Sequence, residues 1–258
     1  MRVPLADVGR RGRLELTFAR QNGRTILRHS YCETPFKVTR LLDAANAPAH
    51  LILMHSTAGL FGGDELDCSI RIERGARVRI TQQSATRIHP SQGRPAIQRI
   101  RVFVEAGAEL NMYLEPVIPF AESRLWQTTS LEVEPGARLS FWEAFMMGRV
   151  GRGERWQFAE LVSETQLRWG SRVVYLDRFR LLAKVAEHST LVMGNNNYLG
   201  TGLVAGSRVL ELAKAMREDL PAAGIDTPTP EFAMARVVSH DGPGFHRSRE
   251  LFCLHTSA

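Results

Sequence analysis

The chain has 258 residues, of which 44% are hydrophobic and 23% are charged, so it can bury a sizeable core and is not disordered over most of its length. It has no run of the roughly 18 to 20 apolar residues that a membrane span needs, and its N-terminus lacks the apolar segment of a signal peptide. We therefore expect a cytoplasmic protein that has no membrane partner.

The cysteines and the basic residues give no sign of a disulfide, zinc or nucleic-acid site. Cys32, Cys68 and Cys253 are odd in number, far apart and free of the CxxC spacing. The formal net charge is +6, but the arginines are scattered along strand-like runs and are not interleaved with aromatic residues. This pattern favours a solvated basic surface or a protein partner over nucleic acid.

The N-terminal region reads as a hairpin followed by short strands. Two strand-like runs, 13–21 and 24–31, flank Asn22-Gly23, and an Asn-Gly pair in that position is a strong hairpin signal. After Pro35 an extended run resumes, and residues 51–55 form an apolar strand. The sequence thus predicts a β-rich start.

Three segments further along the chain repeat one pattern. They are 69–81, 101–113 and 130–142, and each places Gly-Ala after an alternating run that closes with Glu. Apolar and polar residues alternate on both sides of each Gly-Ala, as they do in half-buried strands. The three glycines lie 32 and then 29 residues apart, and they are Gly75, Gly107 and Gly136.

Repetition at this spacing predicts one structural unit used several times. A unit of strand, turn and strand cannot bury its apolar face alone, so we expect the units to stack on a shared core. The predicted fold is therefore mainly β, with β-helix-like stacked strand layers in a single domain over residues 1–258. A β-sandwich whose hairpins happen to contain glycine is the alternative.

The last third of the chain predicts more strands and then helices. Residues 156–169 and 172–183 read as strands, and apolar residues from Val209 to Leu220 fall at helical spacing until Pro221 stops the pattern. Residues 222–230 read as a loop, and the runs 231–240 and 248–255 as a final strand and helix. The fold therefore includes a few C-terminal helices.

Common catalytic motifs are not found in the sequence. It lacks a G-x-S-x-G elbow, a phosphate loop and HExxH, and its histidines are dispersed. The densest polar cluster, with Asp64, Asp67, His55 and Cys68, reads either as a transient metal path or as a solvated Gly-rich turn. A second polar segment, 81–91, is rich in hydroxyl and amide groups that either bond to the buried backbone of turns or line a polar passage.

Several motifs, taken in order, resemble the urease accessory protein UreD family. They are His55-STAGLFGGDEL, the repeat with Gly75-Ala76, Thr81-QQSATRIH, Glu115-PVIPF and Gly148-RVGRGE, and the resemblance covers roughly residues 10 to 185. Two departures are Ala58-Gly59, where the family usually has Gly-Gly, and the lack of the family's C-terminal Arg- and Trp-bearing motif after Asn195.

The resemblance implies a β-helix-like fold and a scaffold without catalytic residues. UreD-like proteins bind apo-urease, recruit the accessory protein UreF and the GTPase UreG, and provide an internal passage for nickel. On this basis nickel(II) is bound transiently and no cofactor is stably bound. The residues that match the family's motifs and become candidates for the passage lining are Asp64, Ser84, Glu115 and Glu143.

Two functions of other classes stay open at this point. A metal-dependent hydrolase would use Asp64, Asp67 and His55 as ligands and Glu143 as general base, and these groups would have to converge on one ion. A basic nucleic-acid-binding module would show binding to random DNA that falls steeply with salt.

Overall fold

The protein folds into two large β-sheets that wind around a common axis. The computed structural model describes residues 9–42, 47–91, 93–182, 193–220 and 223–256. The strands, in chain order, are β1 (Arg11–Gln21), β2 (Arg24–Cys32), β3 (Phe36–Val38), β4 (Ala49–His55), β5 (Glu65–Ile72), β6 (Arg77–Gln82), β7 (Thr86–Ile88), β8 (Ala96–Val104), β9 (Glu109–Tyr113), β10 (Val117–Pro119), β11 (Arg124–Val133), β12 (Arg138–Met146), β13 (Gly148–Arg149), β14 (Glu154–Arg155), β15 (Glu160–Trp169), β16 (Arg172–Leu182), β17 (Tyr198–Ala205), β18 (Gly224–Thr229) and β19 (Phe232–Ser239).

Each repeat crosses from one sheet to the other. Sheet A has the order β16-β15-β11-β8-β5-β1-β2, and the main path of sheet B is β18-β19-β17-β12-β9-β6-β4-β3. In sheet A, Glu65 pairs with Ile97 and Ala96 pairs with Leu125 in parallel register, so the offsets of 32 and 29 residues equal the glycine spacing. The result is a β-solenoid of about four turns. The stacked-layer prediction is confirmed and the hairpin alternative is wrong, because the two strands of each unit lie in different sheets.

The Gly-Ala turns stack along one edge of this solenoid. Gly75, Gly107 and Gly136 have φ values of 77°, 75° and 87°, which is the left-handed region that favours glycine. The N–H of Gly107 donates to the carbonyl of Gly136 at 3.1 Å. The glutamates of the second and third repeats also bond to the preceding turn, since Glu105 Oε2 accepts the N–H of Arg74 at 3.0 Å and Glu134 Oε2 accepts that of Ala106 at 2.8 Å. The glutamate of the first repeat instead pairs with a side chain of β2.

Antiparallel strands flank the parallel coils. The predicted N-terminal hairpin is confirmed, since β1 pairs with β2 antiparallel. At the other end β15 pairs with β16 in sheet A, and β17, β19 and β18 extend sheet B. The loop predicted for residues 222–230 is wrong, because β18 lies there. An edge strand tolerates Pro228, and the pairing with β19 is irregular between Asp226 and Thr229.

Two α-helices in the described part of the chain, α1 (Val209–Asp219) and α2 (Gly242–Thr256), lie on the outer face of sheet B, and a 3-10 helix spans Val150–Arg152. The predicted helix up to Leu220 is confirmed, and its predicted stop at Pro221 lies outside the described residues. A Cβ atom at Gly202 would lie 2.3 Å from the ring of Phe252, so this glycine lets α2 pack closely. Over the same described ranges, no helix has the length and hydrophobicity to cross a membrane.

Candidate functional site

The side chains that fill the interior of the solenoid change from apolar to partly polar along its axis. Inward-facing residues of the first coils are apolar, and they include Leu16, Ile70, Val78 and Ile80, each 2% exposed or less. Inward positions of the later coils carry buried polar side chains. They are Gln98, Gln127, Thr129, Glu143, Ser163, Thr165 and Thr201.

One row of inward residues in sheet A shows this change directly. Paired neighbours across six strands, from β1 through β5, β8, β11 and β15 to β16, are Leu14, Cys68, Ile100, Thr129, Thr165 and Asp177. The first three side chains are apolar or weakly polar, and the last three carry hydroxyl or carboxylate groups. We call Thr129, Thr165 and Asp177 the sheet A polar row.

A second polar row faces it from sheet B. Glu143 of β12 pairs with Thr201 of β17, and Thr201 pairs with Arg236 of β19. Two side-chain contacts join the rows: Thr165 Oγ1 donates to Glu143 Oε1 at 2.6 Å, and Arg236 Nη2 donates to Asp177 Oδ2 at 2.7 Å. The rows therefore form a continuous polar track between the sheets.

Glu143 is the buried ionisable group of this track. Its side chain also accepts a hydrogen bond from Gln127 Nε2 at 3.2 Å. Burial raises the pKa of Glu143 to about 7, and the bonds from Thr165 and Gln127 oppose that effect. Near neutral pH the carboxyl group can therefore hold a proton or release it for a cation.

Two polar atoms beside Glu143 have unused hydrogen-bonding capacity. Gln98 Oε1 and Thr129 Oγ1 are fully buried and have no hydrogen-bond partner within the described ranges. Gln98 pairs in register with Gln127, and Thr129 pairs with Thr165, so both atoms adjoin the Glu143 contacts. Buried polar groups are normally satisfied, which indicates that this interior accepts water or an ion.

The four residues expected to line a passage lie in different places. Glu143 lies in the polar track. Asp64 is also buried, but its Oδ1 accepts the N–H of Arg10 and its Oδ2 accepts that of Phe61, each at 2.9 Å. These two hydrogen bonds stabilise the turn that contains Asp64. The structure does not bring it together with Glu143.

Glu115 and Ser84 lie outside the track. Glu115 Oε1 forms an ion pair with Arg249 of α2 at 2.8 Å, so it ties the C-terminal helix to the solenoid. Ser84 lies at an exposed bend after β6. The role of these residues as passage lining stays a prediction.

The ligand set of the hydrolase alternative does not converge. Asp67 lies on the outer face of sheet A and contacts Arg99 and Arg101, each at 3.2 Å. Burial lowers the pKa of His55 to about 4, and its ring packs edge-on against Phe36. No group of three His, Cys, Asp or Glu side chains that could hold a metal occurs in the described ranges.

Three of the motifs behind the family resemblance meet at a short row of strands that belongs to sheet B but lies off its main path. There β7 pairs with β10 in parallel, and the N–H of Leu60 donates to the carbonyl of Arg87 at 2.8 Å. The ring of Phe61 stacks on His89 with centroids 4.3 Å apart, and His89 packs edge-on against Phe120. Segments distant in sequence thus form successive rungs of one structure.

Sequence reasoning found Glu143 but missed most of its surroundings. In β11, every second residue faces inward, and this set includes Leu125, Leu131 and Val133 as well as Gln127 and Thr129. Polar residues at positions that the alternation predicts to be buried could therefore have pointed to this site. Asp177 and Arg236 gave no comparable signal, since their pairing joins strands nearly sixty residues apart (59).

Comparison with known proteins agrees with this architecture. The family model described as UreD urease accessory protein matches residues 10–250. A urease accessory protein UreD from Deinococcus radiodurans is 34% identical over 261 residues, covering 96% of this chain and 91% of that protein. One from Cupriavidus necator is 34% identical over 211 residues, covering 81% of this chain and 73% of the relative. The chain belongs to the UreD urease accessory protein family.

Proposed function

We propose that this protein is a non-catalytic scaffold that assists nickel insertion into urease. In this proposal it acts in the cytoplasm, binds apo-urease, and recruits a UreF-like accessory protein and, through the complex, a UreG-like GTPase. Nickel(II) is its cargo and passes through the interior. Family membership supports the urease connection, and the interior chemistry supports the passage.

The polar track around Glu143 is the observation that carries the proposal. A folded solenoid gains most from an apolar interior, so buried carboxyl, amide and hydroxyl groups that leave acceptors unused need a reason outside folding. Oxygen and amide ligands hold nickel loosely, whereas a closed His and Cys cage would retain it. Weak ligands in series suit an ion that must move on.

Replacing Glu143 by Gln tests this function. Glu143→Gln keeps the size of the side chain and removes the charge that attracts a divalent cation. We expect normal assembly with apo-urease and the UreF-like partner, and slower urease activation at limiting nickel. Glu164→Gln is the matched control. Glu164 precedes Thr165 in β15, but its side chain lies on the outer face of sheet A and pairs with Arg178.

The outcomes separate scaffold from passage. Normal assembly with activation at the wild-type rate in Glu143→Gln would remove the passage role. Loss of assembly in this variant alone would show that Glu143 is structural. Metal-stimulated hydrolysis by the isolated protein would contradict the non-catalytic role.

A further inference from the structure

The polar track ends at a contact between the two sheets. Arg236 of β19 reaches across to β16, where Nη2 donates to Asp177 Oδ2 at 2.7 Å and to the hydroxyl of Tyr175 at 3.2 Å. The side chains of Arg236 and Asp177 are each 29% exposed. By contrast, Thr201 and Thr165 one strand further in are 4% and 2% exposed. The Arg236–Asp177 pair therefore lies where the interior meets solvent.

This contact puts a positive charge in line with the track. Arg236 adjoins Thr201, which adjoins Glu143, so a cation near Glu143 would meet the guanidinium group next. The charged and titratable groups that act on this end are Glu143 and Tyr175 as well as the pair itself. A fixed arginine would repel a divalent cation, and its departure would leave Asp177 free as an oxygen ligand.

We propose that Arg236 is the gate of the internal track and the residue that selects what passes its end. The inference rests on the proposed passage and adds the place and the chemistry of its opening. In the closed state Arg236 holds Asp177 and Tyr175 and blocks cations. In the open state its guanidinium group leaves Asp177, and two carboxylates, Asp177 and Glu143, attract the cation.

Accessibility of an introduced thiol tests the gate without urease or nickel. Thr129→Cys places the thiol at a hydroxyl that has no hydrogen-bond partner in the described structure, so little is lost. Cys32 and Cys253 are replaced by Ser. A small cationic methanethiosulfonate reagent and an anionic one of similar size are applied at pH 8, and labelling is measured by mass spectrometry for each site.

Cys68 remains as an internal standard. It is 2% exposed in the apolar half of the same interior, and burial raises the pKa of its thiol to about 12. Labelling of Cys68 therefore reports general loosening or unfolding, whereas labelling at position 129 alone reports opening of the track. This standard keeps the test valid even for a variant that folds poorly.

Arg236→Met should open the gate, because it keeps much of the side-chain volume and removes the charge and the donors. We expect labelling at position 129 to rise about tenfold, the factor that corresponds to ~1.4 kcal/mol, with a larger gain for the cationic reagent. Asp177→Asn should give a smaller rise. Arg180→Met is the matched control, since Arg180 lies in β16, the strand of Asp177, but pairs outward with Glu160 at 2.8 Å.

Two results would overturn the gate. One is an unchanged labelling rate at position 129 in both Arg236→Met and Asp177→Asn. The other is a parallel rise at Cys68, which would mean that the substitutions loosen the whole solenoid. Failure here leaves the proposed passage of nickel standing. A normal activation rate in Glu143→Gln would remove the passage of nickel, and the labelling result would then report only whether Arg236 controls access to the interior.

Discussion

Both halves of the solenoid interior are built from inward-facing positions of similar coils, but they are filled differently. In the first coils, Leu66 and Ile70 of β5 face Val78 and Ile80 of β6 across an apolar core. In the later coils, Gln127 and Thr129 occupy the positions of β11 that correspond to Leu66 and Cys68 of β5. The fold therefore tolerates polar residues there without requiring them.

Under the proposed function, this difference separates residues that serve folding from residues that serve the passage of an ion. Apolar burial stabilises a fold by about 25 cal/mol per Å², whereas an unpartnered buried polar group costs about 1 to 3 kcal/mol. The inward positions of β5 and β6 follow the first rule. The polar half departs from it at Gln98 and Thr129, which have polar atoms without a partner in the described ranges, and it buries the carboxyl group of Glu143 with two hydrogen bonds.

The largest effect is expected when the apolar half is given the chemistry of the polar half. Ile70→Gln places an amide on the inward face of β5, between the apolar neighbours Leu16 and Val102. We expect a loss of about 4 kcal/mol, from lost apolar burial and an unpartnered amide. Urea unfolding measures it, and a loss below about 1 kcal/mol would show that the two halves tolerate polarity equally.

The pH dependence of stability probes the polar half. Because the pKa of Glu143 is raised from 4.5 to about 7, its contribution to stability is fully present below pH 4.5 and is lost as the pH rises through about 7. Relative to Glu143→Gln, the wild type should lose on the order of 3 kcal/mol across this range. Urea unfolding at several pH values measures this, and identical pH profiles would contradict a buried titrating carboxyl group.

The comparison of the apolar and polar halves assumes that their coils share the same left-handed glycine turn. A substitution at Gly107 tests whether this turn geometry matters for stability. Gly107 has a φ of 75°, and the nearest atom to an added Cβ is Arg74 Cγ at 3.9 Å, so there is no clash. Gly107→Val should cost about 1 to 3 kcal/mol through backbone strain alone. Gly151→Val is the control, with nothing within 4 Å of its added Cβ. Equal denaturation midpoints for both variants would remove the turn argument.

The smallest expected effect is a gain in stability, whereas Ile70→Gln and Gly107→Val should each lower it. Thr129→Val replaces a buried hydroxyl that has no partner in the described structure with a methyl group of similar size. It should stabilise the protein by about 1 kcal/mol. Thr165→Val is the contrast, because it removes the 2.6 Å bond to Glu143 and should destabilise. Thermal unfolding of both variants checks the signs, and destabilisation by Thr129→Val would mean that its hydroxyl is already satisfied.

The repeats made the solenoid predictable, because the glycine spacing is the register offset between coils. The short row formed by β7 and β10 was harder to predict, since these strands span three residues each and are held by neighbours distant in the chain. The roles of Asp64 and Glu115 were out of reach for a similar reason. Their partners are Arg10 and Arg249, which only the fold brings near.

A high-resolution crystal structure of the protein, soaked with nickel(II) and measured for anomalous scattering, tests the central claim most directly. We expect ordered water bonded to Gln98 Oε1, with nickel density beside Glu143 that disappears in Glu143→Gln. A dry interior would contradict the polar track as a path for an ion. In that case Gln98 would be satisfied by neighbouring side chains, and no metal would lie between the sheets.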